Sequence, residues 1–475
     1  MQRQRAGWCA SFSRWAGRGV CVLLMSGTAG AQVLDLAAAW QLALQHDPVY
    51  RAAISEQAAA QTERAQGRAE LLPQLDAGYY RGRAKGSSIQ HDQGEHLRSS
   101  LDYDSMSAYV ELRQPLLDLG RYARYRRGGA RADMGTAVLQ ARYEAMSLRL
   151  AQAYFNVLLA HEGHALQRAL VASLTQRARA VERLFQRQEA TRIDVQDTQS
   201  RLEMARADLI AAADQWTLTL RELQALTGVI PTHLLALRDE LPLPPLNPAT
   251  LEAWLELALH HNAEVAAARQ AVRVAGTEVE VATGQYGPTV DLVAAYARAQ
   301  SENLASLSQK TNTFSVGIRI NIPLFAGGYN RAQVARAQAD RRRLDQESRA
   351  AIERTQAEVT RQFANVQAGA DLIQALRTAE SSGRTSLASV TRGFAAGVVS
   401  NLEVLEVQDR LFRTRHALAK AKLDYVLARL KLIVAAGTHH HSTFQEISAV
   451  YFDPAVAVAR PDDAGLPAHV YAYRQ

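Results

Sequence analysis

Cysteine is nearly missing from the chain: Cys9 and Cys21 are the only two among 475 residues, and both sit near the amino terminus. The rest has no thiol with which to form a disulfide or do redox chemistry. Aromatic residues make up only 7%. No stretch approaches the run of about 18 apolar residues that a membrane-crossing helix needs. If the chain enters a bilayer, strands must carry it. The P-loop, the G-x-S-x-G elbow and the dinucleotide fingerprint are absent too. Neither an enzyme activity nor a cofactor is therefore expected. The formal charge is +7, and removing Arg3, Arg5, Arg14 and Arg18 of the leader leaves +3. That is too mild to argue for a nucleic-acid partner.

The leader itself is legible. An arginine-rich start precedes a short apolar run at 20–25, and Ala29-Gly30-Ala31 offers a small-residue cleavage site. Residues 1–31 read as a signal peptide, so the mature chain starts outside the cytoplasm. Cys21 precedes the end of the apolar run instead of following it, which argues against a lipid anchor.

What remains is rich in Ala, Gln, Arg, Leu and Glu, a helix-forming composition. Residues 33–72 have a helical pattern ended by Pro73. Residues 74–83 alternate, and so do Met106, Ala108, Val110 and Leu112 against Ser107, Tyr109, Glu111 and Arg113. Pro115 is expected to close that run. The pattern predicts a hairpin of strands about 10 residues long joined by a polar loop over 86–100. A helix is expected over 119–186, on the order of 100 Å at 1.5 Å per residue. A turn and a second helix over 193–227 follow.

A proline-rich linker at 241–249 then divides the chain, and the programme restarts. Pro288-Thr289-Val290-Asp291 echoes Pro73-Gln74-Leu75-Asp76, and Phe314, Val316, Ile318, Ile320 and Ile322 alternate clearly. Another long helix, over 329–396, carries Ile352, Val359, Val366 and Ile373 at sevens; the last has Leu405, Phe412, Ala419, Val426 and Ile433. Sevens signal a coiled-coil seam. Phe185, Asp194 and Gly228 recur 209 residues later as Phe394, Glu403 and Gly437. The expected units are repeats at 32–240 and 250–437, with a tail at 438–475. The fold class is mainly α with four strands per chain. Four strands cannot close a membrane barrel. Either copies assemble to close one, or the hairpins cap a soluble helical bundle.

Taken in order, these elements resemble the TolC family of outer-membrane channel-tunnel proteins. The resemblance rests on the paired Pro-bounded hairpins and the Leu72-Pro73-Gln74-Leu75 junction. Ala153-Tyr154-Phe155-Asn156-Val157, Leu324-Phe325-Ala326-Gly327-Gly328 and Gly397 followed by Leu402-Glu403-Val404-Leu405-Glu406 add to it. It implies a homotrimer with a shared twelve-stranded barrel in the outer-membrane lipid and a helical barrel through the periplasm. Such a duct serves type I protein secretion or, alternatively, multidrug efflux. Its partners would be a periplasmic adaptor and an inner-membrane ABC transporter or proton-driven pump.

The resemblance also implies site residues. Glu403 and Glu406, three apart and so on one helix face, would line a periplasmic gate as rings of carboxylates. Asp194 would join that gate. The tyrosine and arginine that an acid there would meet are replaced by Phe394 and Val399, so closure would fall to coiled-coil packing or to Arg187 and Arg192. Adaptor docking is expected at Arg187, Gln188, Glu189 and Ala190 and at Gly397 and Val398. Blander readings exist for the acids: Ser400-x-x-Glu403 fits a capping box, and Glu406 could pair with Arg410. Two rival functions stay open, a periplasmic coiled-coil scaffold and a metalloenzyme built on His161 and His164. His439, His440 and His441 read as a solvated tail.

Overall fold

The computed structural model describes residues 33–92, 95–302, 308–440 and 442–459. The expected signal peptide and the end of the expected tail lie outside the described residues. The first half begins with β1 (Val33–Leu34), α1 (Leu36–His46) and α2 (Pro48–Ala69). These replace the single helical stretch expected over 33–72. The break is at Asp47, whose carboxylate accepts from the Val49 N–H at 2.9 Å while Pro48 occupies the first helical position. Proline has no N–H to lose there, so it starts a helix where it could not continue one.

Strands β2 (Gln74–Asp92) and β3 (Glu95–Asp118) form the first hairpin. Both are about twice as long as expected, and the polar residues 86–92 and 95–100 belong to the ladder instead of a loop. Ladder hydrogen bonds join main-chain groups, so polar side chains do not end them. Cross-strand pairs help, with Arg83 meeting Asp102 at 2.6 and 2.9 Å. Pro115 does not close β3. It falls at a register shift between Pro115 and Leu117, the kind of irregularity that tolerates a missing donor.

The long helix α3 (Leu119–Gln186) descends to a turn, α4 (Arg192–Thr227) returns, and β4 (His233–Leu237) follows. The second half repeats the order with α5 (Leu251–His261), α6 (Ala263–Gly284), β5 (Thr289–Glu302) and β6 (Ser308–Asn321). Then come α7 (Tyr329–Ala395), α8 (Asn401–Ala435), α9 (Thr443–Tyr451) and β7 (Phe452–Ala459).

The two hairpins lie side by side in one antiparallel sheet ordered β2-β3-β5-β6. Its register aligns Leu75, Leu112, Ala294 and Val316 on one face. The opposite face carries Glu111 and the Arg113–Asp291 pair, 2.5 Å apart with Asp291 2% exposed. Apolar residues give way to Arg81 and Arg298 beyond Tyr79 and Tyr296, so the apolar face is a band rather than the full strand length.

Below the sheet, α3 is gripped between α2 and α6 by small residues. A Cβ on Gly128 would meet the Glu63 carbonyl oxygen at 2.3 Å, and one on Gly284 would meet the Gly120 nitrogen at 2.6 Å. Ion pairs finish the contact, Arg124 with Glu70 at 3.2 Å and Arg127 with Glu278 at 3.2 Å.

Midway down, the main core gathers α1, α3, α4, α5, α7, α8 and α9. Trp40 stacks on Phe444 with centroids 5.4 Å apart and donates its indole N–H to Ser147 Oγ at 3.0 Å. Each large side chain buried there contributes roughly 1.5–3 kcal/mol. A small sheet ordered β1-β4-β7 closes the region. The Tyr154 hydroxyl sits 3.0 Å from the Leu34 carbonyl oxygen and 3.2 Å from that of Leu235, tying β1 and β4 to α3. His439 belongs to this core, 6% exposed between Tyr143 and Phe444, which corrects the solvated reading. His441 lies outside the described residues.

The linker is no free spacer. Arg377 donates to the Leu241 carbonyl at 3.2 Å and Arg429 to that of Pro244 at 2.7 Å, so second-half helices hold it down.

Candidate functional site

Both long helix pairs end in tight turns at the same end of the molecule, and the duplication permits a position-by-position comparison. In the first turn, Gln188 takes the left-handed φ of 64°, and Glu189 N–H bonds the Leu184 carbonyl at 2.8 Å. In the second, Gly397 takes φ 76°, and Val398 N–H bonds the Gly393 carbonyl at 3.0 Å. The two turns thus share one C-cap geometry, reached with glycine in the second and against Cβ crowding in the first.

The acids diverge. In the first half, the Asp194 carboxylate accepts from the Thr191 N–H at 3.0 Å and from its hydroxyl at 2.6 Å, and Thr191 Oγ1 caps the Asp194 N–H. This is a closed capping box. Asp197 pairs with Arg201 at 3.2 Å. Their counterparts 209 residues on behave otherwise. Ser400 Oγ still accepts from the Glu403 N–H at 3.2 Å, but the Ser400 N–H makes no reciprocal bond to the Glu403 carboxylate. The Glu406–Arg410 pair that the spacing allows does not form either. Among the described residues, Glu403 and Glu406 are exposed and without a hydrogen-bond or ion-pair partner. Two duplicated acids are satisfied locally and two are left free.

The element joining the tips was not anticipated from sequence. Asn401, 3% exposed, accepts from Arg177 Nε at 2.8 Å and donates to Thr198 Oγ1 at 2.8 Å. The Thr198 hydroxyl in turn donates a hydrogen bond to the Asp194 carbonyl at 2.7 Å. One chain of bonds therefore links α3, α4 and α8. The Arg177 guanidinium also lies over the Phe394 ring at 4.2 Å, and burial lowers its pKa from the usual arginine value. Phe394, with no hydroxyl to offer, acts through its π face. Beneath this joint, Leu174, Leu202, Ala205 and Leu405 form a small separate core.

Arg187 and Arg192, the cations expected to aid closure, are exposed and bridge nothing among the described residues. Gln188, Glu189, Gly397 and Val398 are exposed as well, and Ala190 is half-buried. Apolar tips accompany them: Ile193 is 77% and Val398 79% exposed.

His161 and His164 lie elsewhere, against Trp216 with ring centroids 5.0 and 5.2 Å away. Burial, helped by His164, pushes the His161 imidazole down to about 4. Both rings serve as neutral packing groups around an indole.

Known proteins share the duplicated sequence and the overall fold. The family model described as outer membrane efflux protein matches residues 39–229 and again 254–438. The chain is 32% identical to the alkaline protease secretion protein AprF of Pseudomonas aeruginosa over 95% of both chains. It is 31% identical to the proteases secretion protein PrtF of Dickeya chrysanthemi, over 90% of this chain and 93% of that one. The outer membrane protein TolC of Vibrio cholerae is 24% identical, covering 87% of this chain and 93% of the relative. Among solved structures, the outer membrane protein VceC from Vibrio cholerae superposes with a TM-score of 0.71 at 20% identity, covering 85% of this chain and 96% of that one.

Proposed function

The chain belongs to the outer membrane efflux protein family, and from that premise we propose that it is the outer-membrane duct of a type I protein secretion system, built from three copies. Residues 1–31 direct export, and the repeats 32–240 and 250–437 each supply two strands and one long helical hairpin. The duct is passive. A periplasmic adaptor docks at the turns, where Ile193 and Val398 offer apolar contact and Arg187 and Glu189 offer charge. An inner-membrane ABC transporter supplies the energy. The efflux alternative, with a proton-driven pump, uses the same geometry. Secretion is favoured because the relatives named for protease secretion align at 31–32% identity against 24% for the TolC relative.

The observation that carries the gate assignment is the asymmetry of the duplicated acids. Asp194 and Asp197 are occupied within their own helix, so they hold the turn in shape. Glu403 and Glu406 keep bare carboxylates on one face. Around a threefold axis they form two rings of three negative charges, which favour cations and resist anions in a narrow passage.

Single-channel recording in a planar bilayer tests this, comparing wild type with Glu403→Ala/Glu406→Ala and with Asp197→Asn. The expected result is a small cation-selective conductance whose selectivity collapses in the glutamate variant and persists in Asp197→Asn. Pores with unchanged selectivity in the glutamate variant would remove the gate and leave the duct. A protein released from membranes by high salt would revive the scaffold reading.

A further inference from the structure

A cavity of about 640 Å³ opens just below the sheet, between α2, α3 and α6. Four arginines from three helices converge on it: Arg64 and Arg68, Arg126, and Arg273. Its one lining carboxylate is Asp133, which is shared between Arg64, in direct contact, and Arg273 at 3.6 Å. Arg126 meets Glu280 at 2.9 Å, outside the lining. Arg68 has no ion-pair partner among the described residues. The lining thus holds four cations against one anion, with the Tyr125 phenol at its edge.

The floor is kept open by sequence. A Cβ on Gly129 would meet nothing within 4 Å, whereas one on adjacent Gly128 would strike the Glu63 backbone. Gly128 lets two helices touch; Gly129 leaves room. Beside that space Arg68 is without an ion-pair partner among the described residues, while Arg64, Arg126 and Arg273 flank it from three helices, paired with Asp133 and Glu280.

The depth of the cavity narrows the ligand further. Arg68 lies in the last turn of α2, and Arg126 lies early in α3. At 1.5 Å per residue, Arg126 is about 10 Å below the strand end. The junction above carries Phe325, 89% exposed, and Tyr329, 60% exposed, the side chains that settle at a membrane interface. Lipid headgroups occupy only roughly the first 5–7 Å beyond the hydrocarbon, so it is the upper rim of the cavity, at Arg68 one residue before the end of α2, that a headgroup phosphate reaches.

We propose that this cavity binds a phosphate group, presented by the headgroup of a phospholipid in the periplasm-facing leaflet or by free phosphate. Guanidinium groups grip phosphate oxygens in pairs, and basic clefts at membrane edges hold such headgroups. The arginine cluster stands on its own geometry; only its depth rests on the export-duct reading.

The test uses full-length protein in a neutral detergent, with thermal unfolding followed as short-chain phosphatidylglycerol or inorganic phosphate is added. Two variants accompany wild type, Gly129→Leu to fill the cavity and Arg68→Gln/Arg273→Gln to discharge it. Wild type is expected to gain stability from phosphatidylglycerol, with the half-effect concentration at least tenfold higher in both variants. The same protection from inorganic phosphate alone would assign the site to the soluble anion. Equal responses in wild type and both variants would overturn the proposal. Channel conductance, measured on the same samples, reports the duct separately, so normal pores beside a failed titration would sink the phosphate site alone.

Discussion

Asp194 and Glu403 hold equivalent places in the duplicated chain, yet one closes a capping box and the other does not. The same comparison singles out Gln188, which occupies with a Cβ the left-handed position that Gly397 fills without one. A non-glycine residue there costs roughly 1–2 kcal/mol, partly returned through the stiffer unfolded chain. Gln188→Gly should therefore steady the first turn by roughly 1 kcal/mol and slow local amide exchange about fivefold. Faster or unchanged exchange over 186–190 would mean that the backbone there is not held left-handed. Residue-scale legibility was uneven. The acids and turns stood out because charge and glycine punctuate a helical sequence. Arg177, Thr198 and Asn401 did not, since a contact across 224 positions leaves no periodic trace. One signal was available: Asn401 is a polar residue one turn before Val404 and Leu405, on a face that becomes core.

At the scale of elements, helix boundaries were readable wherever Pro, Gly or a capping side chain sits, and α3, α4 and α7 begin and end within a residue or so of expectation. The expected heptads hold in α7, where Val359, Val366 and Ile373 are buried, but α8 is buried on more than one face from Leu423 to Ala436. A seam pattern cannot foresee that, because α8 packs on α3 as well as on α7, and Arg429 draws the linker over it. Strand length was misjudged for the same kind of reason: polar residues hide a ladder made of main-chain bonds. Neighbouring glycines in α3 offer a sharp test of the helix packing. Gly129→Ala should be neutral or stabilise by up to about 1 kcal/mol, since alanine favours helix and nothing stands in its way. Gly128→Ala should destabilise, because the same methyl collides with the α2 backbone. Unfolding midpoints of the two variants, compared with wild type, decide it. If Gly128→Ala were the more tolerated of the pair, the close approach of α2 and α3 would be wrong.

For the whole molecule, the decisive feature is an unfinished sheet. Strands β2 and β6 are edges, and they run in opposite directions, so β6 of one copy can pair antiparallel with β2 of the next. Open edges do not survive in lipid, where unpaired main-chain groups find no water. Closure by further copies removes them, and three copies give the twelve strands the resemblance implied. The sequence carried the alternation and hence the two faces. It could not carry β3–β5 pairing, which joins residues from different repeats. Which face meets lipid is testable with two adjacent positions on β6. Ile318 is 64% exposed on the apolar face, and Gly317 points to the other with open space around it. Ile318→Arg sets a charge in hydrocarbon at roughly 2–4 kcal/mol per copy, repeated in every copy of the ring. It should abolish the stable oligomer in outer-membrane fractions. Gly317→Arg should assemble normally and shift conductance toward anions, because its charge enters the lumen. If both variants assembled alike with wild-type selectivity, neither face would be the lipid face and the barrel itself would be in error.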